Sequence, residues 1–185
     1  MMAMEWKLLS KEYLFRDTWF TIRKDTCERG DGKIISPYYV YEFPEWVTAV
    51  AFTKDGRIVL ERQYRHAIGK TAYELPGGCV DDTDAGLEDA IARELLEETG
   101  YRFGSYQYLG KTCCNPSTHN NWMHMFIARE GERITEPHLD EYEEIEVELV
   151  TLQRLQEIIS SGEILQSMHV TACYYAFKEM GLIPF

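Results

Sequence analysis

The sequence predicts an α+β protein built as an α/β/α sandwich, in which helices cover both faces of a mixed β-sheet. Three observations lead to this class. Runs of aromatic and β-branched residues, typical of strands, stand before and after one strongly helical segment, residues 87–99. Two further helical segments follow the last of these runs. Strands, a helix, more strands and then helices are the order expected when one sheet carries helices on each side.

The first 45 residues are predicted to form an antiparallel β extension. Strand-like runs between residues 13 and 41 are interrupted by the sequence Arg-Gly-Asp-Gly at 29–32, which is typical of a hairpin turn. A unit this small cannot bury a core of its own, so it must pack on the main domain or on a second copy of the chain. We therefore expect one domain over 1–45, acting in dimerisation or in covering a substrate, and a second over 46–185.

The second domain is predicted to start with a hairpin of strands 46–52 and 57–64. The Pro-Gly-Gly sequence at 76–78 then ends a short extended run, since proline fixes φ and glycine permits unusual backbone angles. The helix over 87–99 is rich in strong helix formers, and Gly100 is a natural stop. The other predicted elements are strands at 106–112, 122–129 and 144–150, a helix at 152–160, and an amphipathic helix at 169–180 with Val170, Cys173, Tyr174 and Phe177 on one face.

The amino-acid composition limits the cellular locations and the binding partners that we expect for this protein. The formal net charge of −12 argues against a nucleic-acid surface, which needs a basic patch. No stretch approaches the ~20 apolar residues of a membrane span, and the N-terminus does not resemble a signal peptide. The five cysteines are odd in number and form no Cys-x-x-Cys pair, which argues against a disulfide framework or a zinc site. We expect them to be reduced and mostly buried, in a cytoplasmic protein that binds no membrane.

The helix over 87–99 carries a cluster of acidic residues. Glu94, Glu97 and Glu98 stand at positions i, i+3 and i+4, so their carboxylates share one region of the helix surface. Like charges this close repel one another unless a cation neutralises them, and carboxylate oxygens suit Mg²⁺ or Mn²⁺ better than Zn²⁺. Arg93 is placed to hold one of the carboxylates through its forked guanidinium. Taken alone, the same cluster is also compatible with a solvated acidic face.

The segment around this helix resembles the Nudix box, Gly-x5-Glu-x7-Arg-Glu-U-x-Glu-Glu-x-Gly-U, in which U is a bulky apolar residue. The second half of the box, which carries the metal ligands, matches without a gap from Arg93 to Tyr101. The first half departs from it. Counting back from Arg93 puts Ala85 at the first Glu position, whereas counting forward from Gly78 puts Asp84 there. The first Glu is therefore missing, or replaced by Asp84.

The resemblance is to the ADP-ribose pyrophosphatase or nucleotide-sugar hydrolase subgroup of Nudix hydrolases, and it implies a Nudix-like fold and a homodimer with exchanged N-terminal strands. It implies metal-dependent hydrolysis of a nucleoside diphosphate linked to another moiety, ADP-ribose or a related nucleotide sugar, to a nucleoside monophosphate and a sugar phosphate. Glu94, Glu97 and Glu98 would hold two or three Mg²⁺ or Mn²⁺, with Glu97 and Arg93 also assigned to catalysis. A non-catalytic nucleotide-sugar sensor, or a hydrolase of GDP-sugar, NADH or diadenosine polyphosphate, stays open.

Residues outside the box are predicted to complete the metal site and to supply a base. The acidic run at 140–147 resembles the loop of ADP-ribose pyrophosphatase-type Nudix enzymes in which a Glu outside the box acts as the base. That likeness implies Glu141 as the general base and Glu143 as a further metal contact. The carbonyl of Gly77 is another candidate ligand, because glycine lets the backbone approach closely.

Four residues are predicted to bind the substrate. The sequence Gln-Tyr-Arg-His at 63–66 resembles the same subgroup, and the fork of the Arg65 guanidinium matches phosphate oxygens, so we assign Arg65 to the diphosphate. Glu74 lies just before the Pro-Gly-Gly sequence at 76–78, called the glycine loop below, and either binds substrate or pairs with an arginine. Trp46 is a candidate for stacking on the base. Pro116 follows the box at a spacing that resembles a proline of the ADP-ribose subgroup.

Overall fold

The structure, a computed structural model, describes residues 4–184. These residues form two compact units: one consists of the chain up to Pro44 together with Cys113–Trp122, and the other consists of Glu45–Thr112 and the chain from Met123 onward. The loop at 113–122, which the sequence division places in the second domain, therefore groups with the N-terminal unit. Within the described part of the chain, no helix is long and apolar enough to cross a membrane.

The first unit is a three-stranded antiparallel sheet. Its strands, in spatial order, are β1 Lys7–Arg16, β2 Thr21–Glu28 and β3 Ile34–Glu42. The predicted hairpin turn joins β2 to β3, where the N–H of Arg29 donates to the carbonyl of Lys33 at 2.9 Å. Every residue of β1 is exposed, including Leu8, Leu14 and Phe15. The antiparallel extension predicted from the sequence is confirmed.

The second unit contains a seven-stranded sheet. Its strands are β4 Trp46–Thr53, β5 Ile58–Arg65, β6 Lys70–Glu74, β7 Tyr101–Arg102, β8 Ser105–Thr112, β9 Met123–Arg133 and β10 Ile145–Val150. The main order is β10-β5-β4-β9-β7, with β6 paired to β5 and β8 paired to β9. Strands β4 and β9 are parallel and the other pairs are antiparallel, so the sheet is mixed as predicted.

Helices cover both faces of that sheet. They are α1 Leu87–Thr99, α2 Leu152–Ser161 and α3 Ser167–Glu179, and a single 3₁₀ turn, His66–Ile68, follows β5. On one face, Leu95 of α1 packs in a cluster with Val59 of β5. On the other face, Leu155 of α2 and Cys173 of α3 share a second cluster with Leu60. Successive residues of β5 thus serve opposite faces, as a pleated strand requires, and the α/β/α sandwich is confirmed.

Two expectations about buried residues are wrong. The last helix begins at Ser167 rather than 169, and its buried face includes His169, whereas Tyr174 is 47% exposed. Among the cysteines, Cys173 is buried, but the other four are exposed or intermediate, although all five are free thiols. The predicted apolar face included Tyr174 because tyrosine is apolar enough to fit a core pattern. In the structure the core forms without this side chain.

Candidate active site

The loop before α1 runs so close to its neighbours that two of its residues must be glycine. The N–H of Val47 donates to the carbonyl of Gly78 at 2.9 Å, which holds the loop against β4. Gly77 has φ of 143°, and a Cβ there would overlap the Val47 carbonyl oxygen. A Cβ on Gly78 would lie 2.6 Å from Oε1 of Glu94. The Pro-Gly-Gly sequence therefore brings backbone and a helix carboxylate into contact.

Arg93 ties the glycine loop, the start of the helix and two box carboxylates together. Its Nε and Nη2 donate to Oδ1 and Oδ2 of Asp84, each at 3.0 Å, and Nη2 also donates to the Cys79 carbonyl at 2.9 Å. Its Nη1 donates to Glu94 at 3.0 Å and to Glu97 at 2.9 Å. The hydrogen bonds from Arg93 lower the pKa of Asp84. Asp84, which counting forward from Gly78 puts at the first Glu position, therefore fixes this guanidinium.

Two carboxylates of α1 are buried against the glycine loop. Glu98 is 6% exposed, and its Oε2 accepts from the N–H of Gly77 at 2.7 Å. Glu94 is 9% exposed and lies against Gly78. Burial raises the pKa of Glu94 to about 7 and raises the pKa of Glu98 well above its usual range. These two groups resist carrying negative charge unless a cation compensates it.

A further buried carboxyl group, Glu61 of β5, meets Glu98. Glu61 is 3% exposed and lies two residues beyond Val59, on the sheet face that α1 covers. It hydrogen-bonds with Glu98, and burial raises the pKa of Glu61 to about 8, with added repulsion from Glu74 and Glu143. Two carboxyl groups in contact away from water must share a proton or a cation, because neither is solvated enough to carry its charge alone.

The acidic loop between β9 and β10 directs Glu143 toward these carboxyl groups. The charge of Glu143 contributes to the raised pKa values of Glu61, Glu94 and Glu98, so its carboxylate lies within electrostatic range of all three. Glu141, by contrast, is exposed and makes no hydrogen bond or ion pair with residues 4–184. Of the two loop residues predicted from the sequence, Glu143 is the one whose charge acts on the box carboxyl groups.

A pocket of about 250 Å³ opens beside the glycine loop. On one wall, Nε and Nη2 of Arg65 donate to the two carboxylate oxygens of Glu74, at 2.7 and 2.6 Å. The Glu74 side chain is buried, whereas that of Arg65 is 48% exposed. A buried carboxylate thus fixes a positive charge that stays accessible from the pocket. The lining residues are Trp46, Arg65, Gly77, Gly78, Cys79, Met123, Gln166 and His169.

The start of α3 closes the pocket with two residues that sequence reasoning missed. His169 is buried, its Nδ1 accepts from the N–H of Leu75 at 3.3 Å, and burial lowers its pKa to about 4, so the ring is neutral at pH 7. Oε1 of Gln166 is buried without a hydrogen-bond partner in the described chain. At this end the pocket therefore presents two neutral polar side chains, and Arg65 is the charged residue among those that line it.

Comparisons with known proteins place this site in a family. The family model for the NUDIX domain matches residues 43–167, and the model for the nucleoside diphosphate sugar hydrolase N-terminal domain matches residues 6–41. The chain belongs to the Nudix family. The matched Nudix region contains α1, the glycine loop and the acidic loop, whereas His169 of the pocket lies just beyond its end.

Individual relatives cover nearly the whole Nudix chain. It is 28% identical to an ADP-ribose pyrophosphatase of Bacillus subtilis over 95% of this chain and 94% of the relative. It is 31% identical to a GDP-mannose pyrophosphatase of Salmonella arizonae over 90% of this chain and 93% of the relative. Among solved structures, it superposes on an ADP compounds hydrolase with a TM-score of 0.80, at 20% identity and 97% coverage of both chains. That structural match shows the shared fold.

Most of the predicted site residues of this Nudix domain come together in the structure. Nine of them lie in one region of the second unit: Trp46, Arg65, Glu74, Gly77, Arg93, Glu94, Glu97, Glu98 and Glu143. Pro116 instead belongs to the loop that groups with the N-terminal unit. Glu61 was missed, although its sequence position gave a signal. It directly follows the apolar residues 58–60 and is buried like them, which is unusual for a charged residue.

The chemistry of these donors fits a hard divalent cation. Buried carboxyl groups and nearby backbone carbonyls supply oxygen ligands, and Oε1 of Glu61 is buried without a partner in the described chain. Within residues 4–184, no three Asp, Glu, His or Cys side chains are grouped closely enough to coordinate one metal ion as they stand. The carboxylates are instead bonded within the protein: Arg93 donates to Glu94 and Glu97, and the N–H of Gly77 donates to Glu98.

Proposed function

We propose that this Nudix enzyme hydrolyses the diphosphate bond of a nucleoside diphosphate sugar in a reaction that depends on a divalent metal ion. The observation that carries the proposal is the placement of two buried carboxyl groups, Glu94 and Glu98, beside a pocket walled by Arg65. Relatives named ADP-ribose pyrophosphatase and GDP-mannose pyrophosphatase support this substrate class. The products would be a nucleoside monophosphate and a sugar phosphate.

Glu94, Glu97 and Glu98 are the proposed metal-holding residues, together with Glu143 and the carbonyl of Gly77. Their oxygens suit two or three Mg²⁺ or Mn²⁺ ions, which supply charge neutralisation on the diphosphate and a lowered pKa for water when bound. Arg93 keeps Glu94 and Glu97 oriented, because its Nη1 donates to both carboxylates. Its Nε and Nη2 donate to Asp84 and fix the guanidinium.

The acidic loop is proposed to supply the base that takes a proton from the attacking water. The likeness to ADP-ribose pyrophosphatases points to Glu141 as the base, whereas the charge of Glu143 acts on Glu94 and Glu98, which favours Glu143 as a metal ligand. The variants Glu141→Gln and Glu143→Gln separate the two roles. Loss of kcat in Glu141→Gln with unchanged metal affinity would assign the base to Glu141. Loss of both kcat and metal affinity in Glu143→Gln would assign Glu143 to the metal.

Arg65 is proposed to bind the diphosphate, and Trp46 to stack on the base, because both line the pocket next to the glycine loop. Glu74 then acts by holding the Arg65 fork rather than by contacting substrate, since both of its oxygens are occupied by Arg65. The indole of Trp46 offers a flat apolar surface suited to a purine. Pro116 stays a candidate for substrate contact on the strength of the resemblance alone.

The experiment that tests the proposal is a substrate screen with a metal control. Purified protein is incubated with ADP-ribose, GDP-mannose, NADH and diadenosine polyphosphates, with Mg²⁺ or with EDTA, and the monoester products are detected through phosphatase-released phosphate. We expect turnover of a nucleoside diphosphate sugar only with metal present, and at least a 100-fold lower kcat in Glu98→Gln than in the matched surface variant Glu146→Gln. Turnover in EDTA would refute the metal-dependent reaction, and failure to cleave any diphosphate would favour a sensor.

We also propose that the chain forms a homodimer through the first unit. Apolar side chains on β1 are exposed, with Leu14 at 48% and Phe15 at 50% exposure, and a strand with every residue exposed is an unusual place for them. Light scattering after size exclusion tests this: the wild-type chain should run with the mass of two copies, and Leu14→Glu with Phe15→Glu should reduce it to one. The exposed control Lys11→Glu on the same strand should leave the dimer intact.

A cytoplasmic location is part of the proposal. All five cysteines are free thiols, and Cys79 and Cys114 are exposed. Exposed thiols persist in a reducing compartment and oxidise outside it. Fractionation of cells that produce the protein, followed by thiol labelling with and without prior reduction, tests the location directly.

A further inference from the structure

We propose that Glu61 is a direct ligand of the metal cluster, supplied by the sheet rather than by the Nudix box or the acidic loop. The inference rests on the proposed metal-dependent function and adds a residue to it. It starts from three features of Glu61: its position beside Glu98, its nearly complete burial, and an oxygen that has no partner in the described chain.

The position of Glu61 is fixed by the sheet. In the register of the strands it lies opposite Val147 on one side and opposite Glu74 on the other. Strand neighbours on both sides hold the backbone, and because side chains alternate along β5, Glu61 lies on the same face as Val59, which α1 covers and where it meets Glu98. A carboxyl group held on a central strand by pairs on both sides is a more rigid ligand than one on a loop.

The burial of Glu61 requires a compensating interaction. Its side chain is 3% exposed, and a buried carboxyl oxygen without a hydrogen bond is costly. Arg65, the cation whose charge acts on Glu61, is already engaged by both oxygens of Glu74. A structural carboxyl group would be expected to have an arginine or several N–H donors of its own. In their place Glu61 has an acidic neighbour, which is the arrangement of paired metal ligands.

A divalent cation at this point accounts for the whole cluster. A metal between Glu61 and Glu98 would neutralise two adjacent carboxylates and use the oxygen of Glu61 that lacks a partner. The alternative is that Glu61 stays protonated and only donates a hydrogen bond to Glu98, which would make it a positioning residue. Glutamine retains that donor but is a far weaker ligand, so Glu61→Gln separates the two possibilities.

The test measures Mn²⁺ binding, independently of catalysis, by calorimetry and by electron paramagnetic resonance of free Mn²⁺. Wild type, Glu61→Gln and the surface control Glu146→Gln are compared, with circular dichroism to verify folding and Glu61→Asp as a second variant that keeps the charge. We expect Glu61→Gln to bind Mn²⁺ at least 10-fold more weakly or to lose one ion per chain. Glu61→Asp should bind more tightly than Glu61→Gln, and Glu146→Gln should match wild type.

Each outcome has a defined meaning. Equal Mn²⁺ affinity and stoichiometry in wild type and Glu61→Gln would overturn the ligand role of Glu61 and leave the proposed function intact. No Mn²⁺ binding by wild type would overturn the metal-dependent function together with this inference. If Glu61→Gln does not fold, Glu61→Asp decides: an affinity and stoichiometry unchanged from wild type, despite the shortened side chain, would contradict direct coordination.

Discussion

Asp84 and Arg93 are joined by a pair of parallel hydrogen bonds, each 3.0 Å long, across the loop that precedes α1. Asp84 has a side chain only 5% exposed, so this is a sheltered ion pair rather than a surface one. The same guanidinium holds Glu94 and Glu97. The orientation of two box carboxylates therefore depends on an aspartate that lies outside the matched half of the box.

The first prediction concerns this pair. Replacing Asp84 with Asn removes the charge that fixes Arg93, so the guanidinium can turn wholly onto the box carboxylates and compete with the metal. We expect kcat/KM to fall 10- to 100-fold and the free energy of unfolding to fall by about 1–3 kcal/mol. Steady-state kinetics and denaturant unfolding check this, with the exposed neighbour Asp82→Asn as the control. Wild-type kinetics in Asp84→Asn would show that Arg93 needs no anchor.

The second prediction tests the contact between the glycine loop and the helix. A Cβ on Gly78 would lie 2.6 Å from a Glu94 oxygen, whereas a Cβ on Gly86 would meet nothing within 4 Å. Gly78→Ala should therefore displace the Glu94 carboxylate and lower both kcat and Mn²⁺ affinity at least 10-fold. Gly86→Ala, the matched control, should keep both. Equal activity in the two variants would mean that the position of Glu94 is not critical.

The third prediction separates the structural and the substrate-binding roles of Arg65. Arg65→Ala leaves the buried Glu74 without its partner, so both the melting temperature and kcat/KM should fall. Arg65→Lys keeps a positive charge near Glu74 but loses the fork, so we expect the melting temperature to recover largely while kcat/KM stays 10- to 100-fold low. The exposed Arg62→Ala is the control. An Arg65→Lys enzyme with normal kcat/KM would remove Arg65 from the diphosphate site.

The fourth prediction concerns acid stability. Burial lowers the pKa of His169 from 6.5 to about 4, so between these values the folded chain binds fewer protons than the unfolded chain. Its contribution to stability is therefore complete above pH 6.5 and is lost as the pH falls toward 4. The loss is on the order of 3 kcal/mol. His169→Gln should lose less stability than wild type between pH 7 and pH 4.5 in urea unfolding curves, and parallel losses would contradict the assignment.

Local signals explain how much of the fold the sequence could predict. The bounds of α1 agree with the prediction because both ends are marked in the sequence, with Gly100 adopting the left-handed conformation at φ of 74°. The acidic cluster was predictable for the same reason, since the spacing of Glu94, Glu97 and Glu98 along one helix fixes their common region. Short-range patterns thus predicted the helix, the hairpins and the carboxyl groups of the proposed metal site.

Long-range placement explains the rest. Glu61 reaches Glu98 only through the pairing of β5 with its neighbours, and a sequence does not state strand register. His169 contacts Leu75 across a sequence separation of 94 residues, through the packing of α3 against the end of β6. The role of Asp84 could not be decided by counting residues, since the loop between Gly78 and the helix has one more residue than the family pattern. The structure adds the contact of Asp84 with Arg93, which no residue count could supply.

The most direct measurement is a crystal structure with Mg²⁺ and an uncleavable methylene analogue of a nucleoside diphosphate sugar. We expect metal ions about 2.1 Å from oxygens of Glu94 and Glu98, with the diphosphate in contact with them and Arg65 at its side. Box carboxylates turned away from every bound ion, or a diphosphate bound away from the glycine loop, would contradict it.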